Sequence, residues 1–406
     1  HETIPPETRK NLGAFYTKPE AAKLLATLAI ERFDSKVLDP ACGSGTLLVE
    51  SYQRKMRLGP HMRKEEYHKR FIKDIYGTDI MHFATHMTTT NLSAQNISMP
   101  IKPNVYSRDG VATMIQCVET REDPPSMAPI TRWIEMMTGT GIPCGFDVVI
   151  MNPPFTRRER IPSDIRSSVE KLVPEVTGKT GYWAYFVIAA DRVLKKNGVL
   201  AAVIPEEFFV GRSAESVRRY LFDSGYRIQF VVRSAAEVAF SESALYRDYL
   251  IVAKKGLTRS PAITIILKKR LKEIRQRIQD VALEIRDFAS SLDTRFCSEE
   301  YEALKISNID DVISKHIGNL KPLVSFNVAQ AQALAVDLLD KFKSAPTLDD
   351  LRARSLVEIR VYNPGQYVAE NVESYARKLF AGRYGARSPS LVFLIDKVSK
   401  QKTHIR

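Results

Sequence analysis

The chain has 406 residues, of which 44% are hydrophobic and 26% charged, and its formal net charge is +13. This length exceeds what a single core usually serves, so two domains are expected, and no apolar run approaches the ~20 residues of a membrane span. The composition is ordinary for a soluble globular protein, while the surplus of positive charge favours a polyanionic partner and says nothing of fold. The four cysteines, Cys42, Cys117, Cys144 and Cys297, contain no CxxC pair, so neither a disulfide framework nor a zinc site is signalled. A reducing, cytoplasmic setting is the expectation. The first residue is His rather than Met, which reads as a trimmed chain, and no charged-then-apolar signal segment opens it.

In chain order, a helix is expected from Pro19 to Phe33, with Pro19 suited to its first turn. SKVLDPACGSGTLLVESYQRKM reads as strand, glycine turn and helix, DIYGTDI as a second strand, and ATHMTTTNLSAQN as the helix after it. NVYSRDG offers a third strand and FDVVIMNPPF a fourth. A helix over TGYWAYFVIAADRVLKKNG with a glycine stop, a fifth strand at VLAAVIPEEFF, a helix at SAESVRRYLFDSG, and strands at YRIQFVVR and YLIVAKK complete the series. Alternation of strands and helices predicts an α/β fold with a mostly parallel, doubly wound, Rossmann-like sheet. Residues 111–145 and 156–180 interrupt the rhythm and read as long loops.

Past residue 258 the character changes. Leu267, Leu271, Ile274, Ile278, Val281, Ile285 and Phe288 recur in alternating steps of four and three. That is a heptad seam on a basic helix, expected to pack on its own protein in preference to a dimer partner. Beyond residue 293, LVSFNVA, LVEIRVYN and SLVFLID read as strands and AQALAVDLLDKF as a helix. The expected domains are therefore a catalytic domain at 1–258, a helical linker at 259–292 and a smaller α+β region at 293–406, inside which the chain is expected to stop.

Four strand ends carry the chemistry. In VLDPACGSGTLL a strand ends at Asp39, and Gly43 and Gly45 let the backbone turn tightly before a helix. Ligands bind at the carboxyl ends of strands in open α/β sheets. The spacing is not a P-loop, and TGKT at 177–180 also lacks the upstream glycine of one. Asp79 ends the second strand, where a carboxylate can accept from both ribose hydroxyls of a nucleoside or can simply cap the next helix. Asp109 ends the third, where, taken in isolation, an Asp-Gly turn is the better explanation. The fourth end is Asn152-Pro153-Pro154-Phe155. Two prolines fix the chain, the Asn152 side-chain oxygen and the Pro153 carbonyl can both accept from an exocyclic NH2 group, and Phe155 can stack on a flat base. His82 and His86 lack the glutamate of a zincin helix, so no metal is expected. Cys42 has no base beside it and is not read as a nucleophile.

Together these motifs resemble the amino-group DNA methyltransferases of the N6-adenine type, in which the cofactor half precedes the catalytic half and target recognition comes last. GAFYTKPEAAKLL at 13–25 is similar to that family's N-terminal cofactor motif, and DPACGSG to its S-adenosylmethionine loop; the likeness covers about residues 10–258. The resemblance implies that Phe15, Tyr16 and Thr17 hold the methionine end of S-adenosylmethionine, that Asp39, Ala41, Cys42 and Gly43 line its loop, that Asp79 binds the ribose, and that Asp109 binds the adenine amino group. It implies that Asn152, Pro153, Pro154 and Phe155 grip the target adenine, and that Phe240, within EVAFSESALYRDYLIVAKK, packs against the flipped base. Lys18 stands where the family reads proline after the threonine, which bears on the Thr17 contact.

The base must leave the duplex to be reached, and Arg157, Arg158 and Arg160 beside the box are suited to clamp phosphates. The implied partner is double-stranded DNA, with a restriction or specificity subunit as a further one and the oligomeric state open. The implied role is modification within a restriction-modification or phage-defence system. Methylation of an RNA base or of a protein glutamine amide is the alternative enzyme reading. A non-catalytic DNA-binding subunit is the alternative from another class.

Overall fold

The computed structural model describes residues 16–59, 64–99, 101–117, 142–242, 246–256, 261–306, 320, 323–324, 357–362, 391–396 and 402–405. They fall in two units, 1–332 and 333–406.

The first unit is built on a ten-stranded sheet. Its elements begin with α1 (Pro19–Ala29), β1 (Val37–Asp39), α2 (Thr46–Leu58), α3 (Lys64–Lys73), β2 (Ile75–Asp79) and α4 (His82–Ser93). Next come β3 (Asn104–Ser107), α5 (Gly110–Ile115), β4 (Phe146–Met151), α6 (Ser163–Leu172), α7 (Trp183–Val193) and β5 (Leu194–Pro205). The short α8 (Glu207–Val210), α9 (Glu215–Asp223), β6 (Tyr226–Ser234), β7 (Asp248–Lys255), β8 (Ala262–Leu267), α10 (Ile278–Ser290), β9 (Arg295–Cys297) and β10 (Tyr301–Ile306) complete it. The spatial order is β3-β2-β1-β4-β5-β7-β6-β8-β10-β9. β1 pairs in parallel with both β2 and β4, and β4 with β5. The chain thus winds outward from β1 in one direction and from β4 in the other. The crevice at the carboxyl ends of β1 and β4 is the switch point of the sheet, where such folds bind ligands. Helices on both faces explain why β1 is buried throughout and why β4 reads as a continuous apolar run.

The expected strand–helix series is present, with differences that have physical causes. β7 lies antiparallel between β5 and β6 rather than closing the series at an edge. The sheet also does not stop near residue 258: β8 pairs in parallel with β6, and β10 and β9 follow antiparallel. The heptad seam is not one helix. Leu267 ends β8, Leu271 and Ile274 lie in turns, and only Ile278 onward is helical, yet all seven apolar residues are buried in one cluster with α1. The stripe is spent on the protein's own core, so none of it remains to form a dimer seam.

The stretch 156–180 is not a bare loop, since it contains α6. Cys117 and Cys144, whose spacing gave no disulfide signal, are joined by one across the segment between α5 and β4. Sequence separation does not reveal which chain segments a fold brings within bonding range. Among the described residues no helix is long and apolar enough to cross a membrane.

The second unit contains the three-stranded antiparallel sheet β11 (Val357–Tyr362), β12 (Leu391–Asp396) and β13 (Lys402–Ile405). β11 and β12 match the expected strands at LVEIRVYN and SLVFLID. The expected helix at AQALAVDLLDKF, and LVSFNVA beyond Val324, lie outside the described residues.

Candidate active site

The loop after β1 is shaped by two glycines in the left-handed region, Gly43 at φ 52° and Gly45 at φ 84°. It is fastened from the neighbouring strand and helix. The Cys42 N–H donates to the Thr78 carbonyl at 2.9 Å, the Thr88 hydroxyl to the Gly43 carbonyl at 2.8 Å and the Asn91 amide to the Ser44 carbonyl at 2.8 Å. A Cβ on Gly45 would stand 2.9 Å from Thr88 Cγ2, so the loop sits flush on α4.

Three carboxylates gather at this edge. Asp39 ends β1; its Oδ1 accepts from the Ala41 N–H at 3.0 Å, while Oδ2 is buried without a hydrogen-bond partner. Burial pushes its pKa up to about 8, and the nearby charge of Asp79 adds to the rise. Asp79 ends β2 and accepts from the Gly43 and Met81 N–H groups, each at 2.9 Å, which partly offsets the upward push of its own burial. Asp109 stands two residues beyond β3 as the N-cap of α5: its Oδ1 accepts from the Ala112 N–H at 2.8 Å and its Oδ2 from the Tyr182 hydroxyl at 3.4 Å. Gly110 is more than the second half of a turn, because a Cβ there would lie 1.9 Å from the Pro40 carbonyl oxygen. Burial pushes the Cys42 thiol up.

A cavity of about 500 Å³ opens here, lined by Tyr16, Ala41, Gly43, Asp79, Asp109 and Asn152 among others. A small recess next to it is bounded by Thr17, Asp39 and Cys42. Of the residues expected to hold the cofactor, all but Phe15, which lies outside the described residues, are thus brought to one place. Sequence reasoning missed Tyr182, Ile161, Ile165 and Phe186 on the same wall. The aromatic run GYWAYF signalled only a buried helix.

Asn152 follows β4 directly. Its Nδ2 donates to the Thr17 hydroxyl at 3.0 Å and to the Ser241 hydroxyl at 3.1 Å, which turns the carbonyl end of the amide away from that pair. Thr17 and Ser241 are themselves bridged as antiparallel strand partners. Lys18 does not displace this arrangement: its ammonium turns to the Ala239 carbonyl at 2.7 Å and the Glu237 carboxylate at 3.0 Å, and Pro19 starts α1 behind it. Beyond Asn152 alternate residues face different cavities. Asn152, Pro154 and Thr156 line the first cavity, whereas Phe155 and Arg157 line a second one of about 480 Å³ with Trp183, Glu206, Tyr246 and Arg247.

The remaining expected target contacts separate. Arg157 lies over the Tyr246 ring at 5.4 Å, on the second cavity. Arg158 is engaged with Glu170 on α6 at 2.7 Å, and Arg160 lines the first cavity. Phe240 is a correction: it is completely buried in the core, so its ring offers no face to an incoming base. Tyr246, which the sequence reading passed over, is 54% exposed beside Phe155 instead. Among the described residues no cluster could hold a metal ion.

The family model for N-6 DNA methylases matches residues 2–319. The chain is similar to the methylase subunit of a type I restriction enzyme, EcoEI, from Escherichia coli, with 22% identity over 55% of this chain and 39% of that protein. It is also similar to the type II methyltransferase M.BstVI from Geobacillus stearothermophilus, with 20% identity over 67% of this chain and 47% of that one. The chain therefore spans less than half the length of either relative. Among solved structures, the type IIG restriction endonuclease BpuSI shares the fold, with a TM-score of 0.57 and 14% identity over 93% of this chain and 41% of that one. A chain of a type I restriction-modification complex does so too, with a TM-score of 0.52 and 17% identity over 86% and 69%. With its switch-point cavity and its Asn-Pro-Pro-Phe strand end, this chain belongs to the N-6 DNA methylase family.

Proposed function

We propose that the chain transfers a methyl group from S-adenosylmethionine to the N6 amine of an extruded adenine in double-stranded DNA. The single observation that carries this reading is Asn152. It stands at the sheet's switch point with its amide nitrogen committed to two hydroxyls, on the wall of one cavity, while Phe155 faces the next.

The first cavity and the recess beside it fit the cofactor by the chemistry of their walls. The buried Asp39 Oδ2 without a partner is suited to the cofactor's ammonium group, whose charge would favour the ionised carboxylate. Asp79, already held by two backbone N–H groups, keeps lone pairs for ribose hydroxyls. Ile80 and Met81 offer apolar surface, and Asp109 is suited to accept from an adenine amino group. When bound, the cofactor supplies an electrophilic methyl group.

The protein's part is to present the amine. Asn152 Oδ1 and the Pro153 carbonyl accept its two protons, which withdraws the nitrogen lone pair from the ring and directs it at the methyl carbon. Asn152 and Pro153 would hold the amine facing the methyl group that the bound cofactor would supply. One proton then leaves the nitrogen to solvent, so no general base is required. Extruding the base costs a few kcal/mol, and stacking on Phe155 returns about 1–3 kcal/mol.

The roles that accompany this reading are catalysis in the first unit, whose sheet runs on through β10, and DNA recognition in the second, with DNA and a specificity or restriction subunit as partners. The relatives' identities as restriction-modification methylases support a modification role. The test is to supply tritiated S-adenosylmethionine with unmethylated duplex DNA and to digest the product to nucleosides. Label in N6-methyldeoxyadenosine is expected, whereas label in RNA or in protein glutamine instead would overturn the reading.

A further inference from the structure

We propose that Tyr182 is a positioning residue that joins the two halves of the site, its hydroxyl setting the Asp109 carboxylate for the cofactor's base and its backbone N–H setting the segment that follows Asn152. The proposal rests on the reading of the first cavity as the cofactor's and of Asn152 as the grip on the target amine.

Tyr182 stands immediately before α7, as its N-cap. Its ring lines the first cavity, edge-on to Phe186 with the centroids 5.4 Å apart. From there its hydroxyl donates to Asp109 Oδ2 at 3.4 Å. A phenol keeps its proton at neutral pH, so it has one to give. The other oxygen of Asp109, Oδ1, is held by the Ala112 N–H at 2.8 Å. The carboxylate is thus held at both oxygens, from two different helices. Each oxygen keeps a further lone pair, so a ligand amine can still donate to it. Without the hydroxyl, the carboxylate would be fastened at Oδ1 alone and could pivot.

The main chain of the same residue reaches the other way. The Tyr182 N–H donates to the Thr156 carbonyl at 2.8 Å. The first N–H groups of a helix have no partner within it, and this one is spent on the chain that leaves β4. Gly181 shows how closely the two stretches run: a Cβ there would lie 3.2 Å from the Thr156 carbonyl oxygen and 2.9 Å from Trp183 Cδ1. Both stretches alternate between the cavities in step. Thr156 and Tyr182 face the first, while Phe155 and Trp183 face the second. Tyr182 therefore touches the expected cofactor acceptor with its side chain and the catalytic segment with its backbone.

The two links separate by substitution in the full chain. Tyr182→Phe removes the hydroxyl alone, and Tyr182→Ala removes the ring but keeps the N–H. Tyr182→Pro also removes the N–H and sets its Cδ against the Thr156 carbonyl; φ here is −60°, which proline adopts. In calorimetry, Tyr182→Phe should bind S-adenosylhomocysteine about fivefold more weakly than wild type, as for loss of one hydrogen bond. The 6-deamino analogue of that ligand offers no amine to Asp109, so wild type and Tyr182→Phe should bind it alike. On duplex DNA with saturating cofactor, Tyr182→Phe should keep the wild-type kcat. Tyr182→Pro should fall about tenfold below Tyr182→Ala in kcat while matching its cofactor affinity, which shows the fold intact. Gly181→Ala, whose Cβ bears on the same carbonyl, is the second variant and should lower kcat in the same sense.

Unchanged affinity in Tyr182→Phe, or equal losses with both ligands, would overturn the proposal. So would a wild-type kcat in Gly181→Ala together with equal kcat in the alanine and proline variants. A wild-type chain that binds S-adenosylhomocysteine yet leaves DNA unmethylated would refute the proposed function, while the two ligand affinities would still decide the hydroxyl link.

Discussion

An alanine at position 110 would place its Cβ 1.9 Å from the Pro40 carbonyl oxygen and 2.9 Å from the Pro40 carbonyl carbon. These are backbone atoms, so no rotamer change relieves the overlap. Either α5 retreats from the β1 loop or the loop shifts, and both lie on the wall of the first cavity. Overpacking of this kind costs about 1–3 kcal/mol, against which alanine over glycine in a helix returns at most about 1 kcal/mol. A net loss of about 1.4 kcal/mol, once that gain is subtracted, corresponds to about tenfold in affinity. The assay is titration calorimetry with S-adenosylhomocysteine. Gly59→Ala is the control: its nearest contact, at 3.4 Å, is Phe71 Cζ, an ordinary van der Waals approach away from the cavity. Gly110→Ala is expected to weaken binding about tenfold and Gly59→Ala much less. Wild-type affinity in Gly110→Ala would refute the placement of the cofactor against the Pro40–Gly43 loop.

Asp39 gives the cofactor site a pH dependence. Because the folded chain holds this proton up to about pH 8, far above the ordinary carboxylate value of 3.8, Asp39 makes folding less favourable as pH rises between those limits. Cofactor affinity should run the other way, rising from about pH 6 towards 8 as the carboxylate forms, and calorimetry on Asp39→Asn should show that rise flattened. DNA affinity should fall steeply between about 50 and 200 mM salt. Arg157→Ala should reduce that slope by about 1, whereas Arg158→Ala should leave it, since Arg158 is paired with Glu170; equal effects would contradict the assignment. Phe240→Ala should cost about 3–5 kcal/mol in denaturant unfolding, as for any buried phenylalanine. Tyr246→Ala should leave stability alone and weaken DNA binding.

What could be read in the sequence was whatever lies in contiguous residues. DPACGSG announces strand, turn and helix because only glycine takes the left-handed angles that Gly43 and Gly45 show. Asn-Pro-Pro-Phe announces a rigid strand end because proline removes the freedom to do otherwise. Contacts made by distant segments left no such mark. Ser241 is 89 residues and Thr17 is 135 residues from Asn152 along the chain, and neither spacing has a pattern to detect. The antiparallel insertion of β7 between β5 and β6, and the extension of the sheet through β8, are set by pairing partners that periodicity does not name. Phe240 shows the same limit: family position suggested a stacking ring, while packing put it in the core and left Tyr246 on the cavity.

The central claim is that Asn152 grips an adenine amine in DNA. The measurement that tests it most directly is methyl transfer by Asn152→Ala beside the wild type, on the same unmethylated duplex DNA with tritiated cofactor, together with the cofactor affinity of both. The account predicts labelled N6-methyldeoxyadenosine from the wild type and none from Asn152→Ala, with S-adenosylhomocysteine binding unchanged. Retained transfer in Asn152→Ala would contradict it.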